Sequence, residues 1–344
     1  MIHTLGVPGG IEVTVLELGA TITRVRVPTP EGRLHDVALG LDDVAGYLDP
    51  GNPYLGASVG RYANRIAGAA FVLDGTTYTL DRNESHACLH GGTGGFHRRI
   101  WSAVRATETS VHLRLLSPDG DQGFPGALTV DATFSVTADT LTIHYHAATT
   151  APTVVNLTNH VYLNLNEPEQ PVYDHVLTIP AAEFIPVDRR GIPTGREELV
   201  AGTALDLRMA TSLSLLRQPH EHPQLLRADG MDQSFLLEGA GLRPAARLEH
   251  PPSGRYVEVS TDQPSVHVYT LNTVKDVPLL RRGVQACKHG GVALETQIPP
   301  DAPNQEWLPT PVLRPGGAYT STTAWRFGKF TTPAGQRNSF PASR

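Results

Sequence analysis

Cysteine is nearly absent, with only Cys88 and Cys287 in 344 residues. Two thiols cannot make the disulfide framework of a small secreted domain, so they read as free thiols in a reducing compartment. Long apolar runs are missing as well. Nothing approaches the ~20 residues of a membrane-spanning helix, and residues 1–15 lack a basic stretch followed by an apolar one. A cytoplasmic protein is expected. Positive charge is scarce: the formal net charge is -6, without a basic cluster able to track a phosphate backbone, which argues against nucleic acid and anionic membrane as partners. With 40% hydrophobic and 18% charged residues, the chain is ordinary for a soluble globular protein. No linker or repeat divides it, so residues 1–329 read as one domain and 330–344 as a flexible tail.

Helical periodicity is equally scarce. The one helical candidate is 207–217, where Leu207, Leu213 and Leu216 recur at approximate helical spacing. Elsewhere the apolar period is two: IEVTVLEL at 11–18, TITRVRV at 21–27, VHLRLL at 111–116, ALTVDATFSVT at 127–137, TLTIHYHA at 140–147, then YVEVST and SVHVYTLN. FVLDGTTYTL turns at Asp74-Gly75, a pair that hairpins favour. The pattern is that of an all-β protein.

VVNLTNHVYLNL at 154–165 alternates most clearly. Val155, Leu157, Val161, Leu163 and Leu165 share one face of an extended segment, with Asn159 among them, while Asn156, Thr158, His160, Tyr162 and Asn164 share the other. Amides, a phenol and an imidazole are hydrogen-bonding groups of modest charge, suited to a polyhydroxylated ligand. A solvated or amide-bridged face with a structural histidine has the same pattern.

Further candidates lie along the chain. GASVGRYANRIAGAAF sets Arg61, Asn64 and Arg65 close together, and an arginine fork can clamp two neighbouring oxygens or pair structurally with a carboxylate. CLHGGTGGFHRRIW places His90 before a glycine run that permits close backbone approach to a ligand; a phosphate loop would need GK[ST] and a strand-loop-helix context, both missing. Asp232 lies in GMDQSFLL, and His267 shares a strand face with Tyr269. In VALETQI, Glu295 and Gln297 share a face, so the amide could hold the carboxylate as a base. Cys88, His90, Cys287 and His289 form a tempting zinc set, but each pair has one intervening residue where structural sites use two to four, so no metal is expected.

Six ordered segments, GRYANRIAG, LHGG, SPDGDQGFPG, VVNLTNHVYLNL, GMDQSF and LETQIPPDAPNQ, together resemble the aldose 1-epimerases, or mutarotases. The resemblance spans most of the chain. It implies a large antiparallel β-sandwich, the mutarotase-like supersandwich, with a broad sugar cleft, a small-molecule sugar substrate and no cofactor. By motif, Glu295 corresponds to the general base and His160 to the general acid; Asn64, Arg65, His90 and Asp232 correspond to sugar contacts, with Tyr162 and His267 added from their strand faces. Two positions depart from the pattern: Gln233 stands where the family commonly has His, and His267 where it commonly has Gln.

Interconverting α- and β-anomers of a free hexose takes one base at the C1 hydroxyl and one acid at the ring oxygen. His160 titrates near neutrality on its own, and Glu295 is expected to be ionised. A hexose-6-phosphate epimerase would need a cationic clamp, for which Lys275, Arg281, Arg282 and Lys288 are the candidates. A glycoside hydrolase could use Asp232 and Glu295 as its carboxylate pair. A non-catalytic sugar-binding protein is the third alternative. Neither the preferred hexose nor the oligomeric state is legible.

Overall fold

Alternating apolar residues commit most of the chain to strands, and strands with one greasy face must stack. In the computed structural model, which describes residues 1–217 and 221–330, they do so in two large antiparallel sheets. The nine-stranded sheet runs, in spatial order, Ser102–Ala106, Ser110–Ser117, Leu128–Val136, Thr140–Thr149, Tyr319–Lys329, Arg255–Thr261, Arg243–His250, Val176–Thr178 and Thr211–Ser212. The six-stranded sheet runs Tyr162–Leu163, Val292–Gln297, Ser265–Tyr269, Asp232–Leu236, Glu183–Ile185 and Glu198–Leu199. A four-stranded meander, Ile2–Gly6 to Leu34–Asp36, completes the framework.

The predicted alternation is realised in the burial. Leu128, Val130, Ala132, Phe134 and Val136 from one strand, and Leu141, Ile143, Tyr145 and Ala147 from its neighbour, enter a core that also holds Trp325, Val266, Val268 and Leu294. Asp74 and Gly75 turn the 70–79 hairpin with φ of 51° and 78°, the left-handed pair that suits a two-residue turn between twisted strands.

Two expectations are corrected. Residues 207–217 are not an α-helix: Thr211–Ser212 adds an edge strand and Leu213–Arg217 forms a 3₁₀ turn. The three leucines are buried as expected, but by this strand-and-turn path. The single α-helix among the described residues is Pro223–Ala228, opened by a proline and capped by His222 Nδ1, which accepts the Gln224 N–H at 3.3 Å. Six residues are too few to announce themselves by periodicity. The expected tail beyond Phe330 lies outside the described residues. Among those residues, no helix is long and apolar enough to cross a membrane.

Segment 154–165 is not one continuous strand, and both its faces are buried. Val154 pairs with Val312, Thr158–Asn159 and Tyr162–Leu163 pair with other strands, and Asn156 bridges to Tyr62. The apolar face enters the core, while two amides of the other face tie loops together. Asn156 Nδ2 donates to Ala63 O and Ile298 O, and Asn164 Nδ2 donates to Gln170 O and Gly290 O. The amide-bridged reading is correct for them, leaving His160 as the chemical residue of the row.

Behind this segment the Leu165 N–H donates to His175 Nε2 at 2.9 Å, and the His175 and His250 rings lie 4.8 Å apart. Burial pushes His175 down to about 3 and His250 down to about 4. Both are neutral at pH 7 and titrate near 6.5 once unfolded, so their stability contribution is full above 6.5 and is lost as pH falls toward the folded values. We expect unfolding free energy to decline from about pH 6.5 downward, with His175 alone contributing up to about 1.4 kcal/mol per pH unit. Urea titrations of His175→Gln should show a shallower decline, and an unchanged slope would refute the assignment.

Candidate active site

Because the valines and leucines of the six-stranded sheet point into the sandwich, its polar residues point out of the opposite face. Val292 and Leu294 join the core, so Glu295 faces away; Val266 and Val268 do likewise, so His267 stands beside Glu295 in register. Ser234 pairs with His267, and Asp232 with Tyr269, one strand further on. His160 reaches this face from 158–163, fixed by its N–H donating to Ala57 O and its carbonyl accepting from the Gly56 N–H.

His160 Nε2 lies 3.5 Å from Glu295 Oε1, with the residues 4% and 1% exposed. Among the described residues, His160 Nδ1 and Glu295 Oε2 are buried with no hydrogen-bond partner, and so are both ends of the Gln297 amide. Gln297 therefore does not hold Glu295 as a base. Burial pushes the Glu295 carboxyl well up, with the Asp232 charge adding to it and Arg65 opposing, while burial pushes His160 down to about 3. Low dielectric disfavours both charges, against the expectation of an ordinary carboxylate beside a histidine titrating near neutrality.

Rings wall this pair. Their centroids lie 4.9 Å (Tyr162), 5.3 Å (His90), 5.8 Å (Tyr54) and 6.5 Å (Tyr269) from that of His160. The Tyr162 hydroxyl donates to Pro53 O at 3.1 Å and its ring packs on His160, so Tyr162 supports His160 and its one proton is already engaged, where a direct sugar contact was expected. Tyr54, absent from the sequence candidates, also packs on His90 and His97, and burial lifts its phenol to about 12. It lies in an irregular loop, where no period could mark it.

The loop carrying His90 shows what its glycines are for. Gly91, at φ of 82°, lies so close to Gly60 that a Cβ would meet Gly60 O at 2.0 Å. The glycines let two stretches of backbone cross, and that is the close approach they permit. His90 Nδ1 accepts the Asn64 N–H at 3.1 Å, and Asn64 Oδ1 accepts the Arg65 N–H at 2.9 Å.

The three polar residues of GRYANR separate. Arg61 turns away and is 1% exposed: Nη1 donates to Pro125 O, Gly126 O and Thr153 Oγ1, and Nη2 to Ser117 Oγ and Pro118 O. It staples the 117–126 loop. Arg65 stays at the site, held in a fork by Glu84 through Nε at 2.8 Å and Nη2 at 3.0 Å. Its burial is outweighed by the charges of Asp232 and Glu84, which hold it firmly protonated. Glu84 carried no sequence signal.

Asp232 Oδ1 shares a 2.9 Å hydrogen bond with His267 Nε2, and Oδ2 accepts from Arg227 Nη2 at 3.0 Å. Burial opposes its charge, but the His267 hydrogen bond, with Arg65 and Arg227 nearby, holds its carboxyl well below the usual carboxylate range. His267 Nδ1 is bonded to Ser234 Oγ at 2.8 Å, so the imidazole has both nitrogens engaged. It is bound between Asp232 and Ser234 and does not stand as the free cleft residue expected. Gln233 points to the other side, donating to Ile185 O and to Gln224 Oε1.

His90, His160 and Glu295 each place a potential ligand atom within 4.8 Å of the others. With Nδ1 accepting the Asn64 N–H, neutral His90 carries its proton on Nε2 and has no lone pair there for a metal. The set suits proton transfer better than metal binding. The Cys88, His90, Cys287 and His289 set is not assembled among the described residues; His289 bonds Tyr173 Oη and Asp229 O, while Cys88 packs in a separate apolar cluster with Ile66 and Phe71.

Comparison with known proteins agrees with this architecture. The family model described as aldose 1-epimerase matches residues 1–326. The chain is 42% identical over 319 residues to galactose mutarotase of Bos taurus, covering 92% of this chain and 91% of that one. It is 37% identical over 330 residues to aldose 1-epimerase of Escherichia coli, covering 94% of each. Among solved structures, an aldose epimerase homologue from C. elegans superposes with a TM-score of 0.88 at 29% identity, covering 96% of this chain and 99% of that one. The family match over residues 1–326 and relatives of this identity, on a fold whose outward sheet face brings His160 to Glu295, make the chain a member of the aldose 1-epimerase family.

Proposed function

We propose that this protein interconverts the α- and β-anomers of free hexoses, with galactose and glucose as substrates, and that Glu295 and His160 transfer the protons. The observation that carries the reading is their 3.5 Å approach, with no other side-chain partner for either, beside the anchored carboxylate of Asp232.

Ring opening removes the proton of the C1 hydroxyl and adds one to the ring oxygen. The pair holds a single proton, and moving it from Glu295 to His160 creates the carboxylate and imidazolium that opening needs. A sugar hydroxyl donating to Glu295 favours that form, because a hydrogen bond to the charged state stabilises it. Rotation about C1–C2 then exposes the other carbonyl face, and reclosure returns the protons with the two roles exchanged. No proton is gained or lost overall. Asp232, Asn64, Arg65 and His90 are the sugar contacts in this reading, with Tyr54 and Tyr269 as aromatic walls.

Three of the four candidate cations of the phosphate-sugar alternative are engaged by carboxylates. Arg281 pairs with Asp36 at 2.7 Å, Arg282 lies within 3.9 Å of Glu167 and Glu169, and Lys288 pairs with Asp229. A hydrolase is disfavoured because both oxygens of Asp232 are tethered, which restrains it as a nucleophile. Polarimetry on freshly dissolved α-D-galactose and α-D-glucose tests the proposal. Accelerated decay of rotation on both supports it; saturable binding without acceleration leaves a sugar-binding protein, and acceleration confined to the 6-phosphates would replace it with the rival epimerase.

A further inference from the structure

The lone helix points to a residue absent from both the motif pattern and the sequence candidates. We infer that Arg227 is a positioning residue for sugar recognition, acting with His267 to fix Asp232 as an anionic acceptor for one particular hydroxyl. The inference rests on Asp232 being a sugar contact, as proposed above.

Arg227 Nη2 donates to Asp232 Oδ2 at 3.0 Å and to the Asp232 backbone carbonyl at 2.9 Å, so one nitrogen locks side chain and main chain of the same residue. His267 Nε2 engages Oδ1 at 2.9 Å and is itself held by Ser234. With each oxygen tethered once, the carboxylate plane is fixed. An ionised carboxylate has about four lone-pair directions, so about two stay available for a ligand. Both partners are shielded, the side chains being 13% and 15% exposed, which strengthens the pairing over a surface one.

The helix is built to hold this cation. Pro223–Ala228 is too short to persist alone, since an isolated helix of under about 12 residues is marginal in water. It is secured by buried Leu225 and by Gln224, whose Nε2 donates to Val187 O at 3.0 Å and whose Oε1 accepts from the Val187 N–H and from Gln233 Nε2, each at 3.2 Å. Gln233, adjacent to Asp232, thus anchors the helix that carries the Asp232 partner. The two departures from the family pattern, Gln233 and His267, both serve the setting of one carboxylate.

Kinetics on galactose and its monodeoxy analogues test this, comparing wild type, Asp232→Asn, Arg227→Gln and Arg227→Lys. In wild type, one analogue should show a KM penalty of about 10- to 100-fold, the scale of a lost hydrogen bond to a charged group. Asp232→Asn should erase that penalty. Arg227→Gln should shrink it at least about fivefold, affecting KM far more than kcat and leaving the other analogues unchanged, while Arg227→Lys, charged but with its donor on a shorter stem, should fall between. A full penalty in Arg227→Gln, or an equal loss for every analogue, would overturn the inference while leaving Asp232 in place. A penalty that survives Asp232→Asn would instead remove Asp232 from the sugar site and the inference with it. Should Arg227→Gln fail to fold, Gln224→Ala, which frees the helix but keeps the guanidinium, must shrink the same penalty for the inference to stand.

Discussion

Replacing Glu295 by Gln is expected to lower kcat about a thousandfold while leaving the fold intact, since a positioned proton-transfer group is worth about 10² to 10⁴. The amide is isosteric and uncharged, so it removes the site's exchangeable proton without creating a cavity or a buried charge. His160→Ala should cost a similar factor, and the double variant little more, because the two residues operate on one shared proton and their effects do not add. The wild-type pH profile is set by the same coupling. Toward the His160 value of about 3 both residues gain a proton and the base is lost, while burial moves the opposite limb, set by Glu295, above the usual carboxylate range. Between these limits kcat/KM should show no inflection at an ordinary histidine pKa. Near wild-type mutarotation by pure Glu295→Gln would end the assignment. A bell centred on an ordinary histidine pKa would show that the site is wetter than this burial implies.

The largest stability effect is expected at Arg61. Truncation to Ala would orphan the buried carbonyls of Pro125 and Gly126 together with Thr153 Oγ1, remove the links to Ser117 Oγ and Pro118 O, and leave a void beneath Phe124. Each orphaned buried group costs about 1 to 3 kcal/mol, so a loss of at least about 4 kcal/mol is expected and little folded protein should accumulate. Arg61→Lys keeps a charge but cannot bridge both the Ser117 and Pro125 groups with one ammonium, and should lose about 2 kcal/mol with KM unchanged. Urea denaturation compared with Arg65→Lys, which should raise KM more than it lowers stability, separates the roles. If Arg61→Lys were fully stable, or if it raised KM as Arg65→Lys does, the structural reading of Arg61 would be wrong.

That pair of arginines marks the limit of reading a motif linearly. GRYANR places Arg61 and Arg65 four residues apart with nothing to tell them apart, yet one is a buried staple and the other faces the site under the hold of Glu84. Their fates depend on which loop passes each guanidinium, and those loops come from residues 84 and 117–126. The amides of 154–165 teach the same lesson. Their shared face was legible, but whether an amide meets a ligand or a loop carbonyl depends on Ile298 and Gly290, more than 120 residues away in sequence.

By itself the sequence determined the features that period and residue type dictate: an all-β chain, the strands whose valines and leucines build the sandwich, and the strand faces of Glu295 and His267. A period of two is local, because alternate side chains of a strand must oppose each other whatever the neighbours are. Only the tertiary structure decided the directions in which burial moves Glu295 and His160, the tethering of Asp232 by Arg227 and His267, the engagement of the Tyr162 hydroxyl and the Arg61 guanidinium by backbone carbonyls, and the entry of Tyr54. Each of these depends on burial or on a partner remote in the chain, and desolvation and hydrogen bonding are properties of the assembled surroundings.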